Sequence, residues 1–148
     1  MRGPKLSQQL SPANQPAIVA QIREWSQELG FSQMGIADIE LAEHEGYLQK
    51  WLDAGYRGAM EYMARHGTNR SRPEEWVPGT CRVITVRLDY LADGTQPMTI
   101  LESPEKAYIS RYALGRDYHK LLRKRLAALA GRIQKLAGGG HYRAFVDS

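Results

Sequence analysis

Residues 110–119 hold the densest group of chemically capable side chains in the sequence. The stretch reads SRYALGRDYH, with two arginines, two tyrosines, an aspartate and a histidine directly ahead of a long basic segment. A helix that begins near Asp117 directs its free N–H groups and the positive end of its dipole at the residues before it. These residues therefore predict a site for a phosphate or for the acidic edge of a ligand. A simpler interpretation makes Asp117 the N-cap of that helix, Tyr118 a core aromatic and His119 a surface imidazole.

A second group of cationic side chains lies earlier in the chain, in a stretch that also contains Gly67 and Asn69. Arginine donates paired hydrogen bonds to phosphate or carboxylate, and glycine lets a ligand approach the backbone closely. An ordinary surface loop has the same composition, so both interpretations stay open. The cationic members are Arg65, His66, Arg70 and Arg72.

A third candidate is Asp147, which follows the apolar pair Phe145 and Val146. A terminal aspartate is ordinarily a solvated acid. Partial burial raises the pKa of a carboxyl group, however, and lets it donate a proton near neutral pH. Asp147 is therefore a candidate general acid if residues 141–146 form a strand that delivers it to the edge of a sheet.

Charge is distributed unevenly along the 148 residues. Residues 1–110 contain 11 basic and 14 acidic side chains, whereas residues 111–148 contain nine basic and two acidic ones, a net charge of +7. A positive segment of this kind favours a polyanionic partner such as RNA or a phosphate-bearing cofactor. Its alternative is a solvated helix face. The candidate RNA contacts are Lys120, Arg123 and Lys124.

The composition excludes several kinds of site. Cys81 is the only cysteine, so the chain has no internal disulfide and cannot ligate an iron–sulfur cluster by itself. No metal site is predicted at His119, because no second ligand follows at a metal-binding spacing. The first 16 residues are polar, and no apolar run is long enough to span a bilayer. We expect a soluble, cytoplasmic and monomeric protein.

The elements that would position these residues alternate irregularly along the chain. Apolar spacing predicts helices over residues 17–29, 41–54 and 117–137, and strands over residues 31–37, 82–90 and 141–146. Residues 1–16 are predicted to be flexible, and residues 65–80 to form an ordered loop. Because no regular strand–helix–strand order appears, the predicted class is α+β, or irregular α/β, with a mixed sheet and flanking helices. The predicted buried stripe of the last helix contains Tyr118, Leu121, Leu122, Leu129, Ile133 and Leu136.

Three motifs together resemble the N-terminal region of the epoxyqueuosine reductase family. They are RHGTNRSRP at residues 65–73, SRYALGRDYHKLL at residues 110–122 and the ending FVDS at residues 145–148. The resemblance covers nearly all of the chain from about Ile18 onward. Its most specific parts are the string from Tyr112 to His119 and the Val-Asp-Ser ending.

The resemblance implies a cobalamin-dependent reductase that removes the epoxide oxygen of epoxyqueuosine in tRNA, the last step in making queuosine. Electrons would reach cobalamin from two 4Fe–4S clusters in a ferredoxin-like part. The resemblance also implies that Asp147 is the proton donor and that Arg70 and Ser110 approach the cobalamin. The further cofactor-binding residues expected on this basis are Arg111, Tyr112, Asp117, Tyr118 and His119.

The cysteine motifs that bind the clusters in the family have no counterpart in this sequence. Residues 17–148 are therefore expected to be the N-terminal part of the cobalamin-binding reductase domain, incomplete relative to the whole family and inactive alone. The alternative is a standalone cobalamin- or RNA-binding module without redox activity.

Overall fold

The first helix forms where the sequence places its start and stop signals. The computed structural model describes residues 14–90 and 96–146. Helix α1 covers Gln15–Glu28, with a proline in its first turn. It ends at Gly30, whose φ of +81° only glycine adopts readily, and the Gly30 N–H donates to the Gln27 carbonyl. The predicted helix is confirmed, and residues 1–13 of the predicted flexible segment lie outside the described residues.

Helix α2 covers Ala42–Asp53 and confirms the second predicted helix. Leu48, Trp51 and Leu52 on one of its faces are half-buried. The same apolar spacing predicts that Tyr47 also points inward, which is wrong: the ring is exposed, and its hydroxyl donates to Glu43 one turn earlier at 3.0 Å. Apolar spacing could not anticipate this local hydrogen bond.

The predicted loop after α2 consists mainly of short helical turns. Helix α3 covers Tyr62–Arg65, a 3₁₀ turn covers Gly67–Arg70, and α4 covers Pro73–Trp76. Proline at the first position of α4 presets the helical φ and needs no N–H partner. The loop is therefore ordered, as predicted, by backbone turns.

The sheet has two antiparallel strands, β1 at Gln33–Ala37 and β2 at Val83–Arg87. The Ser32 N–H donates to the Arg87 carbonyl at 2.8 Å at one end of the ladder, and Gly35 lies against Thr85 farther along. Strand β2 ends three residues earlier than predicted. The apolar residues of positions 82–90 predict a strand in the centre of a sheet, but that prediction is wrong, because each strand of this two-stranded sheet has a single neighbour.

Helix α6 covers Tyr118–Ala137 and ends at Gly138, where φ is +71°. It follows a short helix α5 at Pro97–Leu101 and a 3₁₀ turn at Arg111–Ala113. Leu129 is buried as predicted, but Leu121 is exposed, so the predicted stripe is too wide at its N-terminal end.

Residues 141–146 do not form the predicted strand. Gly138, Gly139 and Gly140 all have positive φ, so the backbone leaves α6 through a turn. The guanidinium of Arg143 then lies 3.8 Å from the centre of the Trp76 ring. This cation–π contact joins the segment to a residue 67 positions earlier in the chain. Asp147 lies outside the described residues.

The described chain divides into two compact units. The first contains residues up to Met34, Val86–Gly140 and the residues from Ala144 onward. Its buried apolar residues are Ile22, Phe31 and Leu129. An ion pair between Glu28 and Arg132 joins α1 to α6. The second contains Gly35–Thr85 and His141–Arg143. Helices and a small antiparallel sheet confirm the α+β class.

Candidate functional site

The first unit contains a cleft of about 680 Å³ between the segment that follows β2 and the segment that leads into the 3₁₀ turn. Three tyrosines contribute to it, and each ring remains accessible: Tyr90 is 68% exposed, Tyr112 57% and Tyr108 41%. The cleft therefore presents aromatic surface to a ligand. Its lining residues are Arg87, Leu88, Asp89, Tyr90, Tyr108, Ser110, Arg111 and Tyr112.

The two arginines of the cleft differ in their hydrogen bonding. The Arg87 Nε donates to Asp89 at 2.9 Å and lies 3.3 Å from the Ser32 hydroxyl, so that guanidinium is partly neutralised within the protein. The Nε of Arg111 is buried and has no hydrogen-bond partner among the described residues. A buried donor without a partner is unfavourable by about 1–3 kcal/mol. Arg111 is thus a cleft residue with an unsatisfied side-chain donor.

Asp117, Tyr118 and His119 form a cluster at the start of α6. The Asp117 carboxylate accepts the His119 backbone N–H at 3.0 Å and lies 3.0 Å from the His119 Nδ1. The backbone hydrogen bond from His119, followed by its side chain, lowers the pKa of Asp117. The rings of Tyr118 and His119 stack at 4.1 Å, and the Tyr112 ring meets Tyr118 edge-on at 6.3 Å. The N-cap interpretation of Asp117 therefore agrees with the structure.

Lys120, Arg123 and Lys124 are all exposed on α6. Their spacing of three and four residues places them on one side of the helix. None of the three forms an ion pair with another residue of the described ranges. We call these residues the basic face.

Arg70 lies in the second unit, whereas Ser110, Arg111 and Tyr112 share the cleft of the first. Arg70 is half-buried, and its Nη2 donates to the Tyr62 carbonyl at 3.1 Å. Its guanidinium also lies 6.0 Å from the centre of the Tyr62 ring. The side chain is thus oriented by α3.

The other expected anion-binding arginine of this stretch, Arg72, is engaged within the protein. Its Nη2 donates to the Glu45 carboxylate at 2.7 Å and its Nε at 3.0 Å, a bidentate pair. The Ser71 hydroxyl donates to the same carboxylate at 2.5 Å. Hydrogen bonds from Arg72 and then Ser71 lower the pKa of Glu45 to about 2. The Arg72 guanidinium is therefore engaged by Glu45, and the interpretation of Arg72 as an anion-binding residue is not supported.

Sequence reasoning missed the cleft contribution of Arg87, Tyr90 and Tyr108. The predicted strand over residues 82–90 included positions 87–90, and the observed end of β2 at Arg87 is what frees Leu88, Asp89 and Tyr90 to line the cleft. Within residues 14–90 and 96–146, no three His, Cys, Asp or Glu side chains are grouped so that they could hold a metal ion. No helix of the described ranges has the length and apolar character needed to cross a bilayer.

Comparison with known proteins identifies similar sequences. The family model described as "Epoxyqueuosine reductase QueG, DUF1730" matches residues 70–148, just over half of the chain. Curated proteins named epoxyqueuosine reductase are 59% identical in Pseudomonas aeruginosa over 143 residues, 56% identical in Vibrio cholerae over 131 and 50% identical in Escherichia coli over 137. These alignments cover 97%, 88% and 93% of the chain.

The same alignments cover 40%, 36% and 36% of the three relatives. The chain thus spans about two fifths of the length of the curated relatives that it matches. No solved structure matches the chain significantly.

Proposed function

Because the chain belongs to the epoxyqueuosine reductase family, we propose that it forms the cofactor- and tRNA-facing part of an enzyme that reduces epoxyqueuosine to queuosine in tRNA. The observation that carries this proposal is the family match over residues 70–148, which includes all eight residues that line the cleft, and α6. The relatives at 50–59% identity are named for the same reductase activity. The reaction would take place in the cytoplasm, on a tRNA substrate.

The cofactor of this proposal is cobalamin, held in part by the cleft. The side-chain chemistry fits a large ligand rich in amide and phosphate oxygens, because a serine hydroxyl, an arginine and an exposed tyrosine, Ser110, Arg111 and Tyr112, line one concave surface. The cofactor role expected for Arg70 rests on the family resemblance alone. When bound, cobalamin supplies the electrons that reduce the epoxide.

Asp117, Tyr118 and His119 serve the cofactor indirectly in this proposal. Asp117 is occupied as the N-cap of α6, and it orients the imidazole of His119. The stacked rings of Tyr118 and His119, with Tyr112 against Tyr118, then support one edge of the cleft. Removing Tyr118 would leave Tyr112 without its edge contact.

Asp147 is the proposed proton donor. Opening an epoxide creates an alkoxide-like oxygen that needs a proton, and a positioned carboxylic acid supplies one. This assignment is supported by the family pattern, in which the Val-Asp-Ser ending falls within the matched residues. The two 4Fe–4S clusters of the proposal need cysteines that this chain, with Cys81 alone, does not contain.

Asp147→Asn in a protein of the relatives' full length tests the proposed role. The substitution keeps the size of the side chain and removes its transferable proton. Cobalamin binding, followed by visible absorption, is expected to persist, while single-turnover reduction falls roughly 10²- to 10⁴-fold. The control is Asp53→Asn, at an exposed site of the second unit. This variant is expected to leave cobalamin binding and single-turnover reduction unchanged. Loss of cobalamin in Asp147→Asn would make the residue a cofactor contact, and full activity would place the proton donor elsewhere.

The second candidate function is a cobalamin- or RNA-binding module without redox activity. The single cysteine favours it for the 148-residue chain by itself. This chain, given cobalamin and a strong reductant, is expected not to reduce epoxyqueuosine in tRNA. Measurable turnover under those conditions would exclude a pure binding role.

A further inference from the structure

We infer that Tyr90 and Tyr108 form a stacking surface for an unpaired RNA base within the cleft. This inference rests on the proposed function and deepens it, because it assigns the substrate to residues other than those proposed to contact cobalamin. Tyr90 follows β2 and Tyr108 precedes the 3₁₀ turn, so two separate segments bring the rings to one concave surface.

Exposure of the rings is the first observation that supports a planar ligand. Tyr90 and Tyr108 keep much of their surface in contact with solvent although they line a cleft. A tyrosine ring offers a flat apolar face with a polar tip, which suits stacking against a base that also carries polar edges. Proteins that bind single-stranded RNA use aromatic side chains in this way.

Charge is the second observation, and it favours a nucleic acid over other planar ligands. The basic face, Lys120, Arg123 and Lys124, belongs to the same unit as the cleft and has no ion-pair partners among the described residues. Residues 111–148 carry a net charge of +7. Phosphates bound by the basic face would hold an RNA chain on the unit that contains the tyrosines.

The base must be unpaired to reach these rings. In a duplex both faces of each base are covered by its neighbours, and only a base that leaves the stack presents a face to an aromatic side chain. The partial neutralisation of Arg87 by Asp89 leaves Arg111 as the cation of the cleft with an unused donor. Because the proposed function assigns Arg111 to the cofactor, the stacking contribution of the two tyrosines is tested apart from it.

The test compares two probes and matched variants of the 148-residue chain. The probes are a fluorescently labelled single-stranded RNA heptamer and the same ribose-phosphate chain without bases, measured by anisotropy at low salt. We expect Tyr90→Ala and Tyr108→Ala each to weaken binding of the heptamer roughly 5- to 100-fold, as loss of one base stack does. Binding of the abasic chain is expected to stay unchanged, because its phosphate contacts remain.

Tyr56→Ala is the matched control, since Tyr56 is 72% exposed but lies in the second unit, outside the cleft. It is expected to bind both probes like the parent. Tyr90→Phe and Tyr108→Phe keep the ring and are expected to retain most of the heptamer affinity, which separates stacking from a loss of folding. Circular dichroism checks that each variant keeps the helical content of the parent.

Four results would overturn the inference. They are failure of the parent to bind the heptamer, unchanged heptamer binding in both alanine variants, equal weakening of the abasic probe, and loss of affinity in the phenylalanine variants as large as in the alanine variants. If the alanine variants lose cobalamin and keep RNA, the surface holds the cofactor and the inference is also wrong.

The outcome is distinguishable from that of the proposed function. In a protein of the relatives' full length, reductase activity with an unchanged KM for tRNA in both alanine variants would refute the stacking surface and leave the function standing. Absence of reductase activity, together with base-dependent RNA binding that the alanine variants lose, would refute the function and leave the stacking surface standing.

Discussion

At the scale of single residues, Glu45 shows how one carboxylate can connect distant parts of the second unit. It accepts two hydrogen bonds from Arg72 and one from Ser71, residues more than 25 positions later in the chain. These contacts join α2 to the turn before α4. The cluster explains why Arg72, which the sequence suggested as an anion-binding residue, is occupied inside the protein.

The first prediction concerns Glu45 and pH. Hydrogen bonds from Arg72 and Ser71 lower its pKa from 4.5 to about 2, so the folded protein holds the charged form more strongly than the unfolded chain does. Its stabilising contribution is therefore full above about pH 4.5 and is lost as the pH falls toward 2. We expect Glu45→Gln to lower the unfolding midpoint in urea at pH 7 and the difference from the parent to shrink between pH 4.5 and 2.

Glu102→Gln is the control for this experiment, because Glu102 is exposed and outside the cluster. It is expected to unfold like the parent at every pH. A difference between Glu45→Gln and the parent that stays constant down to pH 2 would show that the Glu45 charge is not what stabilises the cluster.

The second prediction concerns Asp117 as the N-cap of α6. Asp117→Ala removes the acceptor for the His119 N–H, whereas Asp117→Asn keeps a side-chain oxygen in that place. We expect the alanine variant to melt at a lower temperature than the parent and the asparagine variant to lie between them, as followed by circular dichroism at 222 nm. Because the pKa of Asp117 is lowered by its hydrogen bonds to His119, this contribution is present at neutral pH and is lost as the pH falls below the usual range of an aspartate. Equal melting temperatures for alanine and asparagine would argue against the cap.

At the scale of elements, glycines decide where two of the helices end. Gly30 stops α1 in a left-handed conformation and also leaves room for Arg125 of α6. A Cβ at this position would lie 2.9 Å from the Arg125 Nη1. The glycine thus serves both the local turn and the contact between α1 and α6.

The third prediction compares two glycine substitutions that are expected to change the free energy of unfolding in opposite directions. Gly30→Ala forces a side chain into the left-handed region and displaces Arg125, so we expect a loss of about 1–2 kcal/mol in the free energy of unfolding. Gly46→Ala lies inside α2, where a Cβ meets no atom within 4 Å, and is expected to gain about 0.5–1 kcal/mol. Urea unfolding of both variants measures the difference. Stabilisation by Gly30→Ala would contradict the close approach of Arg125.

At the scale of the whole molecule, charge is separated along the chain. Residues 1–110 contain 11 basic and 14 acidic side chains, whereas residues 111–148, which include α6, contain nine basic and two acidic ones. This distribution does not determine the fold, but it raises the local concentration of a polyanion near one unit.

The fourth prediction uses the basic face. Binding of tRNA is expected to be weak and to fall steeply with salt, because phosphate contacts release counterions. Replacing Lys120, Arg123 and Lys124 with glutamine is expected to weaken binding at low salt and to make the slope of log K against log salt shallower by about 2. The control replaces Arg23, Lys50 and Lys106, which are exposed elsewhere, and changes net charge equally. If the two triple variants change tRNA affinity and its salt dependence equally, the basic face is only a solvated helix surface.

The sequence by itself determined the features that depend on near neighbours. Helices α1, α2 and α6 follow from apolar residues three and four positions apart. The ends of α1 and α6 follow from Gly30 and Gly138, because helical hydrogen bonds and caps involve residues within one turn. The N-cap role of Asp117 is local in the same sense. The family was also visible in the sequence, since its motifs are short contiguous strings.

Tertiary structure decided the features that join residues far apart in the chain. Arg72 pairs with Glu45 instead of remaining available to an anion, and Arg143 packs on Trp76 in a segment where a strand was predicted. The cleft needs the segments around Tyr90 and Tyr108 to come together, and no local pattern specifies that approach. Such contacts depend on how burial, charge pairing and chain entropy balance over the folded unit, so they appear only once the chain has folded.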